Sequence, residues 1–296
     1  MIPPLIDSTF ADLALDFLEA GDCRLLQRIA ETDAAQHLAA HSRRVSLSGY
    51  VKDPFGLVEQ ILTSPSMAKI NPEELRARLS SIESDRTSQL RCWTEAAALL
   101  PDGALSGTVL YLTVGYDIGV ALAGQASINL VHPHFLGNSL EEVWFYIVHE
   151  IHHAGFQKYN PLPALLDTRS ISDLAYLIKY LTHMEGLAVH AARRWRTVRG
   201  ALEWDSDYEA LLDTERMDTY EREFFSSYNG LMGEGERPIE KEDWEILGRM
   251  SIGDRLWYRV GASMANRIEK TLGREVLIAT VEEGPDAFFE RYMKLE

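Results

Sequence analysis

The sequence predicts an α+β fold that is mostly helical and contains one small sheet. Segments with apolar residues at helical spacing fill most of the 296 residues. Only two short segments, 108–114 and 125–131, have the β-branched or alternating pattern that is typical of strands. Both lie just before a well-capped helix. We therefore predict a helical N-terminal region over residues 1–100, packed on a larger domain over residues 101–296.

The first hundred residues carry three helical segments. Apolar residues at helical spacing predict helices over 8–20 and 23–40. A third helix is predicted to begin after Asn71, since Asn is a favoured N-cap and Pro72 suits the first helical position. It should run to about residue 100, where Pro, Asp and Gly follow.

The pattern changes between residues 105 and 155. The segment 108–114 is flanked by glycines, and 125–131 alternates polar and apolar residues, so we predict a strand from each. The glycines at 115, 119 and 124 predict turns or bulges between them. Ser139 and Glu142 then form the pattern of a capping box, which predicts a helix over 140–155.

This helix carries the strongest functional signal, the H-E-x-x-H pattern at residues 149–153. Positions i and i+4 share a helix face, so His149 and His153 can bind one metal ion together. Glu150 lies beside them, where its carboxylate can take a proton from a metal-bound water. The pattern is typical of zinc sites in hydrolases.

A hydrolytic zinc site needs a third protein ligand. The best candidate is Glu185, in a long helix predicted over 171–197, with His183 and His190 as weaker alternatives. Gly186 next to Glu185 suits a close approach between helices, since glycine otherwise weakens a helix. Further helices are predicted over 240–250, 252–272 and 284–294.

His149, Glu150 and His153, followed downstream by Glu-Gly-Leu-Ala at 185–188, resemble the gluzincin branch of zincin metallopeptidases. They are most similar to bacterial domains of unknown function described as zinc-dependent proteases. The resemblance covers about residues 108–190. It implies a zincin-like catalytic domain over 101–296, zinc as cofactor and a peptide or protein substrate. It also implies a sheet-edge strand that binds peptide, for which 125–130 is the matching segment.

Gluzincins usually stabilise the oxyanion of the reaction with a tyrosine or a histidine. Tyr258, at the start of a late helix, is our choice for this role. Other available tyrosines are Tyr159, Tyr220 and Tyr228.

The same residues are open to other interpretations. His149 and His153 could be core histidines, and Glu185 a buried ion-pair partner. His152 lies about 100° around the helix from His153, which favours a structural role. Surface positions are the default for the remaining candidates, His132 and His134.

Two other classes of protein share parts of this pattern. A di-iron bundle needs a second Glu-x-x-His motif, which the chain lacks. A catalytically inactive zincin-like scaffold, which binds metal or a protein partner without turnover, remains the main alternative to a metallopeptidase.

Charge and composition restrict the partners. A net charge of −16 argues against a nucleic-acid partner, which would need a basic surface. Residues 201–246 hold 15 acidic and 4 basic side chains. A solvated face is the favoured interpretation of this acidic block, and an acidic wall that attracts cationic peptides is the alternative. Without a signal-peptide pattern, a long apolar segment or more than two cysteines, the chain is predicted to be cytoplasmic and not membrane-bound.

Overall fold

The computed structural model describes residues 5–46, 53–233 and 236–295. Within them the fold is α+β and mostly helical with one small sheet, as predicted, and this sheet has four strands. The chain divides into two compact units. Unit 1 comprises Met1–Thr94 and Leu105–Leu162, and unit 2 comprises Glu95–Ala104 and Pro163–Glu296. The division into an N-terminal region and a catalytic domain at residue 100 stays a prediction, because compactness alone does not define a functional domain.

The described part of the first hundred residues contains six α-helices, where three helices were predicted. Thr32 interrupts the second predicted helix, because its side chain accepts a hydrogen bond from the Ala35 amide and starts a new helix. Asp85 interrupts the third in the same way, by accepting from the Ser88 amide. The helices are α1 (Thr9–Ala20), α2 (Arg24–Ala30), α3 (Asp33–Val45), α4 (Pro54–Leu62), α5 (Pro72–Ser84) and α6 (Arg86–Ala97).

The sheet of unit 1 has the strand order β1-β2-β4-β3. β2 and β4 are the two predicted strands, whereas β1 and β3 were missed. β2 pairs in parallel with β1 and β4, and β3 pairs antiparallel with β4. The strands are β1 (Leu5–Asp7), β2 (Val109–Thr113), β3 (Gly119–Leu122) and β4 (Gln125–Asn129).

The prediction that 125–130 is an edge strand is therefore wrong. β4 has a neighbour on both sides, and β3 forms this edge of the sheet. Ala123 and Gly124 have φ angles of 52° and 81° and form a two-residue turn between β3 and β4. Alanine hides this turn in the sequence, since glycine or asparagine usually occupies such positions.

The motif helix α7 (Leu140–Phe156) confirms the predicted helix and packs on β3 and β4. Its cap differs from the prediction. Ser139 accepts a hydrogen bond from the Glu141 amide at 3.2 Å. Glu142 does not complete a capping box, because its carboxylate binds the His134 ring at 3.0 Å.

Unit 2 is built around two helices, α8 and α12, which pack closely. Ser170 and Asp173 form a capping box that starts α8, and the predicted helix at 171–197 is confirmed. Three helices, α9, α10 and α13, were not predicted as separate elements. The helices of unit 2 are α8 (Ile171–Arg199), α9 (Ser206–Ala210), α10 (Thr214–Gly233), α11 (Lys241–Ser251), α12 (Leu256–Leu272), α13 (Arg274–Glu283) and α14 (Pro285–Met293).

In the residues described, no helix is long and apolar enough to cross a membrane.

Candidate metal centre

The helical spacing of the histidine motif brings three potential ligands together in unit 1. One nitrogen or oxygen atom from each of His149, Glu150 and His153 lies within 4.8 Å of the others. The two imidazole rings are 4.4 Å apart and nearly perpendicular. Glu150 and His153 are buried, whereas His149 is half-buried. The motif therefore forms a compact group of donors, as the i, i+4 spacing predicts.

Gly119 of β3 provides the space for the Glu150 side chain. A Cβ atom at residue 119 would lie 2.6–2.8 Å from Cγ, Cδ and Oε1 of Glu150, closer than real Cβ contacts allow. The sequence pattern predicts a turn or bulge at this glycine and does not indicate its contact with Glu150.

The donor set suits zinc. Zn²⁺ in proteins is bound by imidazole nitrogens and carboxylate oxygens, which are the atoms that converge here. The group contains two histidines and one carboxylate, so a second carboxylate from elsewhere in the chain would complete three ligands while leaving Glu150 as a base.

The other histidines of this part of the chain have separate roles. His134 binds Glu142, and its ring lies 5.0 Å from the ring of Tyr146 on the motif helix. His132 accepts a hydrogen bond from the His134 amide. His152 is fully buried and does not belong to the group of potential ligands. His134 thus contacts α7 rather than the group of donors.

In unit 2, Glu185 lies in the middle of α8 and is 9% exposed. Gly186 follows it at the point where α8 crosses α12. A Cβ atom at Gly186 would lie 2.3 Å from the backbone of Gly261, and one at Gly261 would lie 2.2 Å from the Thr182 carbonyl oxygen. The predicted close helix approach at Gly186 is confirmed, and it needs glycine on both helices.

The two alternative ligands on α8 have partners of their own. His183 is fully buried, is hydrogen-bonded to the Thr280 hydroxyl at 3.0 Å and stacks on Phe288. Burial lowers the pKa of His183 to about 3. His190 is bound to Glu269 at 2.7 Å. These contacts favour structural roles for both histidines.

Tyr258 lies in the first turn of α12 and is half-buried. Burial and the nearby Glu185 carboxylate raise its pKa, so the phenol keeps its proton at neutral pH and can donate a hydrogen bond. The Arg255 guanidinium stacks on its ring at 3.7 Å.

The other tyrosines considered are less suited to this role. Tyr220 already accepts hydrogen bonds from Arg216 and Arg259. The Tyr228 ring is 6.0 Å from the Lys179 ammonium. Tyr159 is an exposed side chain.

Part of the acidic block is buried and neutralised by arginine. Asp205, Asp207 and Asp243 are 7%, 5% and 4% exposed, respectively. Asp205 pairs with Arg196, and Asp207 pairs with both Arg255 and Arg259. Asp243 pairs with Arg237. Residues 234 and 235 of the block lie outside the described residues. A count of charges could not separate these buried ion pairs from solvated acids.

Comparisons with known proteins assign the chain to a family. The model of the family described as "Putative zinc dependent peptidase (DUF5700)" matches residues 35–295. The chain belongs to this family, because the match covers most of its length. This confirms the resemblance to zinc-dependent protease domains and the prediction of zinc as cofactor. No curated protein matches the chain, and no solved structure matches it.

Proposed function

We propose that this protein is a zinc metallopeptidase of the gluzincin type, in which His149, His153 and Glu185 hold the metal and Glu150 is the general base. The convergence of His149, Glu150 and His153 on α7 carries the proposal. Zinc bound there would polarise the scissile carbonyl group and lower the pKa of a bound water. The remaining steps depend on side chains of the chain itself.

Glu150 has the position that a general base needs. Its carboxylate lies beside both imidazoles, and its side chain packs against Gly119. In the proposed reaction it takes the proton of the attacking water and passes it to the leaving amine. A purely structural metal site would have no use for a base at this place.

The assignment of Glu185 rests on its place in the sequence and on its neighbours in unit 2. It is the buried carboxylate on the next long helix after the motif helix. His183 and His190 are engaged with Thr280 and Glu269. Tyr258 shares the electrostatic environment of Glu185 and remains protonated, so its hydroxyl can stabilise the oxyanion.

The edge of β3 is the proposed binding strand for an extended peptide. The Ile118 carbonyl accepts from the Asn129 amide, and in an antiparallel pair the next residue turns its backbone groups the other way. Gly119 therefore directs its N–H and C=O away from β4. The Ala121 carbonyl on this edge is already bound by the Gln157 amide. A peptide would thus pair mainly through Gly119.

Metal content and turnover test the proposal together. His149→Ala should lose most bound zinc, whereas His132→Gln, a histidine outside the group, should keep it. Glu150→Gln should keep zinc and lose about 10²–10⁴-fold in the rate of peptide-library cleavage. Glu141→Gln, on the first turn of the same helix, is its matched control.

The outcomes separate the candidate functions. Equal zinc content in wild type and His149→Ala would rule out the metal site. Undiminished cleavage by Glu150→Gln would rule out the base. Zinc binding without any chelator-sensitive cleavage would favour the inactive scaffold.

A further inference from the structure

The first turn of α12 places an arginine where local energetics disfavour it. Arg255, the N-cap of α12, has φ 47° and ψ 49°, in the left-handed region that glycine or asparagine normally occupies. A cation at a helix N-terminus is also unfavourable, since the helix dipole is positive there. Strained residues of this kind concentrate at ligand-binding sites.

Arg255 is held in place by side chains of unit 2. Its Nε donates to Asp207 at 2.7 Å, and its guanidinium carbon lies over the Tyr258 ring, 3.7 Å from the ring centroid. Asp207 also accepts from Nε of Arg259 at 3.0 Å. Two guanidinium groups therefore share one buried carboxylate. The next acidic group that acts on Arg255 is Glu185, which the proposed function assigns to zinc.

The donors of this turn outnumber its acceptors. Both terminal amino groups of Arg255 make no hydrogen bond among the described residues, and the side chain is 37% exposed. The Trp257 indole is 6% exposed, and its N–H meets no acceptor in ordinary hydrogen-bond geometry among those residues. The indole N–H nevertheless lies near the Tyr258 hydroxyl. There it stabilises the ionised form of the phenol, which opposes the rise in the pKa of Tyr258. The arginine, indole and phenol side chains thus lie together in the first turn of α12.

We propose that the first turn of α12 binds a carboxylate of the substrate, with the two terminal nitrogens of Arg255 as its bidentate partner. The planar fork of a guanidinium matches a carboxylate, and the Asp207 contact through Nε leaves that fork free. The inference rests on the proposed function, since it takes the carboxylate to belong to the peptide that is cleaved. The carboxylate is either the C-terminus of the peptide or an acidic side chain.

Binding to the zinc-supplemented Glu150→Gln protein tests the proposal without turnover. Three probes separate the two sources: N-acetylated tetra-alanine with a free C-terminal carboxylate, the same peptide amidated, and the amidated peptide with glutamate in place of its last alanine. Calorimetry should show about tenfold or tighter binding of at least one carboxylate probe over the neutral amide. The free acid identifies C-terminal recognition, and the glutamate peptide identifies side-chain recognition.

Substitutions then assign the preference to Arg255. Adding Arg255→Gln should reduce the ratio of the affinities for the carboxylate probe and the neutral amide to about one. Arg255→Lys should keep only part of this preference, because lysine lacks the planar fork of a guanidinium. Arg274→Gln is the matched control, since Arg274 also donates its Nε to a carboxylate, Glu269, at 2.7 Å and is 42% exposed. This control should leave the ratio unchanged.

In the protein that retains Arg255, equal binding of all three probes, or binding of none of them, overturns the proposal. This result does not depend on whether the Arg255 variants fold. A preference that survives Arg255→Gln also overturns it. The proposed function is judged separately, by zinc content and chelator-sensitive cleavage in wild type. An Arg255-dependent preference without zinc or cleavage would support the carboxylate site and reject the peptidase.

Discussion

The histidine motif of unit 1 and the Glu185 region of unit 2 both depend on glycine. The glycine makes room for a side chain in unit 1 and for a helix backbone in unit 2. The space at Gly119 is filled by the Glu150 side chain, whereas the space at Gly186 and Gly261 is filled by the backbone of the opposite helix. A side chain can turn to another rotamer, but two packed helices have to separate. A methyl group added at Gly186 or Gly261 should therefore disturb the folding of unit 2. A methyl group added at Gly119 should mainly displace the Glu150 carboxylate in unit 1.

The largest effect on folding is expected for Gly261→Ala. Its new methyl group would meet the Thr182 carbonyl oxygen at 2.2 Å and Cα of Gly186 at 2.8 Å, and no rotamer change relieves either contact. We expect a loss of at least about 3 kcal/mol in the free energy of unfolding, the upper end for overpacking. Chemical denaturation monitored by circular dichroism measures it.

Gly248→Ala is the matched control for this substitution. Gly248 lies in α11, where an added Cβ atom would meet nothing within 4 Å. Alanine there should stabilise the helix by about 0.5–1 kcal/mol. Similar effects at Gly248 and Gly261 would mean that the helix crossing does not depend on glycine.

The next effect is a pH dependence in unit 1, on the sheet face opposite the motif helix. His37 is 8% exposed, with its Nε2 3.4 Å from the Val120 carbonyl oxygen. Burial lowers its pKa from 6.5 to about 4. The fold therefore favours the neutral imidazole, and this stability is complete above pH 6.5 and lost as the pH falls toward 4. At pH 5 the loss should reach about 2 kcal/mol.

Denaturant unfolding of wild type and His37→Gln at pH 7 and pH 5 measures this contribution. The variant keeps an N–H donor but does not titrate, so its stability should fall less between the two pH values. His41 also has a pKa lowered to about 4 and will retain part of the slope in both proteins. Identical slopes would show that His37 does not become charged in this range.

What the sequence could predict differs between the two regions for a physical reason. His149, Glu150 and His153 interact through one helix, whose geometry is fixed by the backbone, so their spacing was enough to group them. Arg255 and Asp207 are far apart in the chain, and no local pattern indicates that they meet. Gly186 was recognised as a contact point, but its partner Gly261 could not be identified from spacing.

The strands show the same limit. β2 and β4 have the β-branched or alternating composition of strands and were predicted. β3 is only four residues long and lies among glycines, so local propensity favoured turns, and its pairing with β4 decided otherwise. Missing β3 also led to the wrong edge strand and concealed the role of Gly119.

The smallest effect on folding is expected for Gly119→Ala, which should cost less than about 1 kcal/mol because the flexible end of Glu150 can move aside. Its effect on turnover should be larger. Displacing the carboxylate by about 1 Å should lower kcat up to about 100-fold while zinc content stays unchanged. Assays of kcat, KM and bound zinc on the purified variant measure this separation.

The combination with Glu150→Gln decides whether Gly119 acts through that carboxylate. If its only role is to make room for Glu150, Gly119→Ala should cause little further loss of kcat once the base has been removed, because effects of residues that act as a unit do not add. Independent losses that multiply would instead indicate that Gly119 acts on the substrate directly, through the backbone groups it directs away from β4. The same double variant should unfold at nearly the same denaturant concentration as Glu150→Gln, since the methyl group then meets a side chain that can still move.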